Sequence, residues 1–170
     1  EAPLYGVTDE GVLAEVVDGE VRPLGAEGTA NRPPVTAIAV SPSGLLVAGR
    51  LADASGVLLG YPELAERPLR TVAGRVASGP RIDATERVWW TTPDGAVVLA
   101  DGTGEDPAVV DVAVAGLPGP VREVRPARDG ARVDLLPDLE RAGGEDPPLV
   151  LLVDQAALVP LQAAELQEAA

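Results

Sequence analysis

The sequence predicts an all-β fold, a partial β-propeller of about three to four four-stranded antiparallel blades. The first observation is an internal repeat, since residues 35–47 and 121–133 match without a gap, with valine at both ends of each copy. A weaker copy at 80–90 lies between them and sets the period at about 42 to 44 residues, the length of one blade. The second observation is that 19 Gly and 17 Pro interrupt the 170 residues too often for helices to become stable.

The first 24 residues predict three short strands joined by hairpin turns. Acidic-glycine pairs separate the apolar runs, and glycine adopts the positive φ of such turns without steric cost. The predicted strands are 4–8, 12–17 and 20–24. Residues 25–34 hold two glycines and end in Pro33-Pro34, so we expect a loop that crosses to the next blade.

Residues 35–115 predict two complete blades, and a third repeat begins after the Gly- and Pro-rich crossing at 116–120. The predicted strands are 35–40, 45–50, 56–61 and 69–73, then 80–83, 87–92, 96–100 and 109–115, and finally 121–125, 132–136 and 149–154. Nothing in the sequence obviously supplies the innermost strand of the first blade. We therefore expect an open arc of blades or a piece of a larger ring, because closure is what normally hides sheet edges.

The blades are assigned to residues 1–154, as a fragment of a larger propeller, and residues 155–170 form a C-terminal tail. The last ten residues of the tail have helix propensity and no turn former, so the tail is either a short helix or a disordered end. A helical turn is also expected after Pro137.

Composition excludes several kinds of chemistry. The chain has no Cys and no His, which excludes disulfides, Cys-rich zinc sites, Cys nucleophiles and His-dependent catalytic triads within it. Without Lys it cannot form the usual phosphate-binding loop. A formal charge of −14 argues against nucleic acid and anionic lipid as partners. No apolar run reaches 18 residues, and no leader precedes Glu1, so we expect a mature segment or an excised fragment.

Four motifs resemble the β-propeller of the actinobacterial LpqB-type lipoproteins. They are Leu-Tyr-Gly-Val at 4–7, Val-Thr-Ala-Ile-Ala-Val-Ser-Pro-Ser-Gly at 35–44, Pro-Arg-Ile-Asp at 80–83 with Arg-Val-Trp-Trp-Thr at 87–91, and Gly-Pro-Val-Arg-Glu-Val-Arg-Pro-Ala-Arg-Asp-Gly-Ala-Arg-Val at 119–133. The resemblance covers roughly residues 1–136. Ser43 stands where the family usually has Asp, and the pattern fades beyond Asp134, where Leu136-Pro137 is expected to interrupt the second strand of the last repeat.

The resemblance implies an exported protein that is anchored by a lipidated Cys, carries a spore-germination-type domain before the propeller, and works with a two-component sensor kinase. The 170 residues contain no Cys and none of the quoted motifs belongs to that domain, so we expect both to lie in the full-length parent. The resulting expectation is a non-catalytic, extracytoplasmic protein-interaction module with no cofactor and no bound metal. Its expected partner is an envelope protein such as a sensor histidine kinase, and it reaches the membrane only through the lipid anchor of its full-length parent.

Four residues are candidates for an interaction surface: Trp89, Trp90, Arg122 and Arg128. Adjacent residues of a strand face opposite sides, so one tryptophan is expected to pack between blades while the other could stack on a sugar or a peptide. Arg122 and Arg128 share a parity that an extended strand places on one face, where they could bind an anion or form an ordinary solvated face with Glu123 and Asp129.

Two alternative functions stay open at this point. A propeller hydrolase or lactonase would hold Ca²⁺ on carboxylates of the central channel, yet the innermost strands offer only Asp83 and Glu123. The acidic loop at 101–106 also fails the usual Ca²⁺-loop spacing. A propeller that binds cell-wall glycans would require Trp89 or Trp90 to be exposed.

Overall fold

A computed structural model describes residues 3–25, 32–60, 64–101, 109–112, 120–127, 132–137 and 149–152. These residues form fourteen strands in four antiparallel sheets and contain no helix. Each sheet follows the chain as a simple meander, in which consecutive strands pair. The predicted all-β class and the partial propeller are therefore confirmed.

The four sheets are called blades 1 to 4 in chain order. Blade 1 contains β1 (Leu4–Val7), β2 (Leu13–Val17) and β3 (Glu20–Pro23). Blade 2 contains β4 (Val35–Val40), β5 (Val47–Leu51), β6 (Gly56–Leu59) and β7 (Arg70–Ala73). Blade 3 contains β8 (Ser78–Ile82), β9 (Arg87–Thr91), β10 (Val97–Asp101) and β11 (Val109–Val112). Blade 4 contains β12 (Val121–Pro126), β13 (Arg132–Pro137) and β14 (Leu149–Leu152).

One backbone hydrogen bond recurs wherever two blades meet. The N–H of Val76 donates to the carbonyl of Ala54 at 2.7 Å, and that of Val121 donates to Gly95 at 2.9 Å. Both accepting turns join the second and third strands of a blade. The N–H of Val35 donates in the same way to Gly11 at 2.8 Å, in the turn between β1 and β2. The turn after β1 is therefore equivalent to the turns after β5 and β9, so β1 occupies the second position of a blade. No described residue occupies the innermost position of blade 1.

The turn glycines of blades 1 and 3 allow this close approach. A Cβ atom on Gly11 would lie 2.2 Å from Cβ of Pro34, and one on Gly95 would lie 2.0 Å from Cβ of Pro120. Both glycines also have positive φ, +77° and +85°. Any other residue at either position would collide with the proline that precedes the next innermost strand.

Three apolar cores fill the gaps between the four blades. Each core takes side chains from the facing sides of two sheets, as expected for strands that alternate between faces. The core between blades 1 and 2 includes Leu13, Leu24, Val35, Val47, Leu51, Val57 and Leu59. The core between blades 2 and 3 includes Leu46, Ala48, Leu58, Val88, Trp90, Val98 and Ala100. The core between blades 3 and 4 includes Trp89, Val97, Leu99, Val121, Val124, Val133 and Leu135.

Each innermost strand pairs irregularly near its start. The register shifts between Val35 and Ala37 in β4, between Ser78 and Arg81 in β8, and between Val121 and Glu123 in β12. A bulge adds an unpaired residue and reverses the alternation of side chains that follow it. The first and fourth residues of β12 consequently share one core.

The C-terminal part corrects one expectation. Strand β13 runs through Leu136 to Pro137 without the predicted interruption. Pro137 pairs only with Val121, beyond the last residue that pairs with β14, so its missing N–H removes no hydrogen bond to that strand. The helical turn expected after Pro137 and the tail at 155–170 lie outside the described residues.

Candidate functional site

Both tryptophans of the predicted surface are fully buried, each with 0% of its area exposed. Trp89 packs into the core between blades 3 and 4, and Trp90 packs into the core between blades 2 and 3. Adjacent residues of β9 do face opposite sides, but blade 3 has a neighbouring blade on each side. The expectation that one indole could be open to a sugar or a peptide is thus corrected.

Trp89 belongs to a buried polar network centred on Asp83. Asp83 Oδ2 accepts hydrogen bonds from Nε1 of Trp89 at 2.9 Å and from Nε of Arg87 at 2.8 Å. Its Oδ1 accepts from the backbone N–H of Thr85 at 2.9 Å, from the Thr85 hydroxyl at 2.8 Å and from the backbone N–H of Arg87 at 3.1 Å. Five donors therefore converge on one carboxylate.

The surroundings of Asp83 give it a structural role. Its side chain is 0% exposed, that of Arg87 is 7% exposed, and the Arg87 guanidinium carbon lies 5.8 Å from the centre of the Trp89 ring. From the sequence, Asp83 was one of two carboxylates on the innermost strands that could face a channel. It instead follows the end of β8 and faces the interior, where it fixes the turn into β9.

A cleft of about 270 Å³ opens between β8 and β12, the innermost strands of blades 3 and 4. We call it the β8–β12 cleft. Its two arginines are exposed and Ser78, Gly79 and Glu123 are half-buried, whereas Thr91, the two tryptophans and the valine are buried. The lining residues are Ser78, Gly79, Arg81, Trp89, Trp90, Thr91, Arg122, Glu123 and Val124.

Glu123 is held in this cleft by two guanidinium groups. Oε1 accepts a hydrogen bond from Nε of Arg125 at 3.1 Å, and Oε2 accepts one from Nη2 of Arg125 at 3.1 Å. Oε1 also accepts from Nη2 of Arg81 at 3.2 Å. The hydrogen bonds from Arg125, with a smaller contribution from Arg81, lower the pKa of Glu123 against the opposing effect of burial. The same pairing raises the pKa of Arg125. The Glu123 carboxylate is therefore ionised at neutral pH.

Arg122 occupies the bulge of β12. Its backbone carbonyl accepts hydrogen bonds from the Ser78 hydroxyl at 2.9 Å and from the Thr91 hydroxyl at 3.3 Å, which ties blade 4 to blade 3. The Arg122 side chain is exposed, and among the described residues it has no hydrogen bond or ion pair. Arg128 lies outside the described residues, so its predicted pairing with Arg122 on one face is left as a prediction.

The residues that share the cleft with Arg122 were not predicted from the sequence. Ser78 and Arg81 come from a blade some forty residues earlier in the chain, and no linear spacing links them to β12. The repeat could have helped, because it identifies β8 and β12 as neighbouring innermost strands. Sequence analysis treated Glu123 as a possible partner of nearby arginines, and the structure pairs it with Arg125 and Arg81.

The described residues of the cleft are better suited to bind an anion than to transfer a proton. A carboxylate with a lowered pKa and two guanidinium partners is a poor general base, since it binds a proton weakly near neutral pH. Within the described ranges, no three acidic side chains come together in a way that could hold a metal ion. Guanidinium groups are well suited to bind planar anions through paired hydrogen bonds.

Comparison with protein families identifies the fold. A family model described as the lipoprotein LpqB β-propeller domain matches residues 11–143, which include strands of all four blades. The chain belongs to this family. A search of curated proteins gave no match. The family description indicates a propeller module of an envelope lipoprotein, and the described part of the LpqB-type chain contains no helix that could cross a membrane.

Proposed function

We propose that this LpqB-type propeller is a non-catalytic, extracytoplasmic protein-interaction module of an envelope lipoprotein that works with a two-component sensor kinase. The observation that carries the proposal is membership of the lipoprotein propeller family over most of the chain. The module contributes a recognition surface, and its membrane attachment comes from the lipid anchor of the full-length parent.

The chemistry of the described residues supports a binding role over an enzymatic one. The chain has no His or Cys to serve as a base or a nucleophile. Asp83 is engaged by five donors, and Glu123 is engaged by two arginines. Both carboxylates that sequence analysis considered for a Ca²⁺-dependent hydrolase therefore already have partners. The burial of Trp89 and Trp90 likewise removes the observation that favoured a glycan-binding propeller.

The test is co-purification of the kinase with the full-length parent. The tagged parent is extracted from membranes in mild detergent, and co-purified sensor kinases are quantified by mass spectrometry. An unrelated lipoprotein of the same envelope, tagged in the same way, is the control. Enrichment of one sensor kinase over the control is the expected result, and equal recovery from both baits would contradict the proposal.

Calorimetry tests the enzymatic alternative. The propeller is titrated with Ca²⁺, and the expected result is no stoichiometric heat of binding. Tight one-to-one binding would instead favour a metal-dependent hydrolase.

A further inference from the structure

The β8–β12 cleft is a local positive region in an acidic chain. Three guanidinium groups, those of Arg81, Arg122 and Arg125, lie in or beside it with two carboxylates, Glu123 and Asp134. The balance of these described groups is one positive charge, whereas the whole chain carries −14. Screening at physiological ionic strength reduces interactions beyond about 8 Å, so a ligand in the cleft experiences mainly these local charges.

The two guanidinium groups that line the cleft differ in what they already bind. Arg81 is shared with Glu123 and keeps 52% of its side chain exposed. Arg122 is exposed and has no partner among the described residues, while the Ser78 and Thr91 hydroxyls fix the position of its backbone. A bound anion would therefore gain its strongest new contact from Arg122, with Arg81 beside it.

The size of the cleft limits what can enter. At about 270 Å³ it lies just below the range of pockets that hold drug-sized ligands, about 300–1,000 Å³. A single carboxylate side chain is smaller than such ligands, so this volume has room for it. A carboxylate matches the planar fork of an arginine.

We infer that the β8–β12 cleft binds a carboxylate side chain from an acidic segment of the partner protein, with Arg122 as the principal contact. The identification of the ligand as a protein segment rests on the proposed function. The charge and geometry of the cleft support carboxylate binding independently of it.

The test measures binding of a rhodamine-labelled, capped peptide, Gly-Glu-Asp-Glu-Asp-Gly, to the whole chain by fluorescence anisotropy. The control ligand is the same peptide with amides in place of the carboxylates, Gly-Gln-Asn-Gln-Asn-Gly. We expect the acidic peptide to bind at least about tenfold more tightly than the amide peptide, because charge-assisted hydrogen bonds are stronger than hydrogen bonds between neutral groups. Arg122→Ala is expected to weaken binding of the acidic peptide by about tenfold or more.

Two further variants test whether binding of the acidic peptide changes in the direction that the local charges predict. Glu123→Gln removes the carboxylate that competes for Arg81 and Arg125, so it should strengthen binding severalfold. Arg22→Ala removes an exposed arginine of β3 that does not line the cleft, with 54% of its side chain exposed, and should leave binding unchanged. Equal binding of the two peptides, or equal loss in Arg122→Ala and Arg22→Ala, would overturn the inference. Succinate binding as tightly as the peptide would overturn the assignment to a protein segment.

The outcomes also separate this inference from the proposed function. If the kinase co-purifies equally with the wild-type parent and with its Arg122→Ala variant, the module binds its partner elsewhere and the inference fails alone. If the acidic peptide binds in an Arg122-dependent way but no kinase co-purifies, the proposed function fails alone.

Discussion

Asp83→Ala is expected to destabilise the propeller more than any surface substitution. It leaves Arg87, which is 7% exposed, without the carboxylate 2.8 Å away, and it leaves the buried Nε1 of Trp89 without its acceptor. Breaking a buried ion pair by removing one partner costs about 3–5 kcal/mol. We therefore expect a loss of about 4 kcal/mol, a large part of the roughly 5–15 kcal/mol that stabilises a typical domain.

The measurement is urea unfolding, followed by tryptophan fluorescence and by circular dichroism. The midpoint should fall while the slope with urea stays the same, since the area exposed on unfolding does not change. Asp83→Asn should cost about 2–3 kcal/mol, because the amide replaces one acceptor with a donor that faces other donors. Adding Arg87→Ala to Asp83→Ala should cost less than the sum of the single changes, because both substitutions remove the same interaction between these two residues.

Asp53→Ala is the matched control. Asp53 also sits in a turn and accepts a hydrogen bond, from the Ser55 N–H at 2.9 Å, but it is exposed. Its loss should cost at most about 1 kcal/mol. If Asp83→Ala is no more destabilising than Asp53→Ala, the reasoning from burial and convergent donors is refuted.

Three further predictions concern stability. Glu123→Gln should be less stable than wild type above about pH 4.3, and this stability difference should disappear as the pH falls through the lowered pKa of Glu123. Urea unfolding of both proteins from pH 2 to 7 measures it, and a stability difference that does not change with pH would contradict the prediction. Gly95→Ala should lower the free energy of unfolding by about 2–4 kcal/mol, because its Cβ would lie 2.0 Å from Pro120. Gly19→Ala, with similar positive φ and nothing within 4 Å of the added Cβ, should lower it by only about 1–2 kcal/mol. Equal losses in thermal or urea unfolding would exclude the collision. Tyr5→Phe should cost about 0.5–1.5 kcal/mol, since it removes the 2.8 Å hydrogen bond to the Gly44 carbonyl. Burial, and secondarily Glu15, raises the pKa of Tyr5. The stability difference between wild type and Tyr5→Phe should therefore be complete below about pH 10 and be lost as the pH rises through the raised pKa. A stability difference that persists above the raised pKa would refute this.

The blade architecture could be predicted because it depends on local signals. The gap-free match of 35–47 with 121–133 identified two innermost strands, and the structure gives Val35 and Val121 the same turn hydrogen bond. Glycine in the turns between apolar runs marked the hairpins. That none of the described strands occupies the innermost position of blade 1 agrees with the expectation from the strand count.

The candidate site was less predictable because it depends on two neighbouring blades. Parity along an extended strand predicted Arg122 and Arg128 on one face, and this stays a prediction because Arg128 lies outside the described residues. No residue pattern indicated the bulge at Arg122. For the tryptophans, alternation was the correct rule. Their burial followed from the blades on both sides of blade 3, which a single strand does not encode.

The contacts between Gly11 and Pro34 and between Gly95 and Pro120 have a geometric consequence for assembly. A proline ring cannot rotate out of the way, and a glycine has no side chain left to shorten. Any relief of a Cβ collision must therefore move the backbone, which would pull the N–H of Val35 or Val121 away from the turn carbonyl that accepts it. A substitution at either glycine would thus weaken the attachment of one sheet to the next.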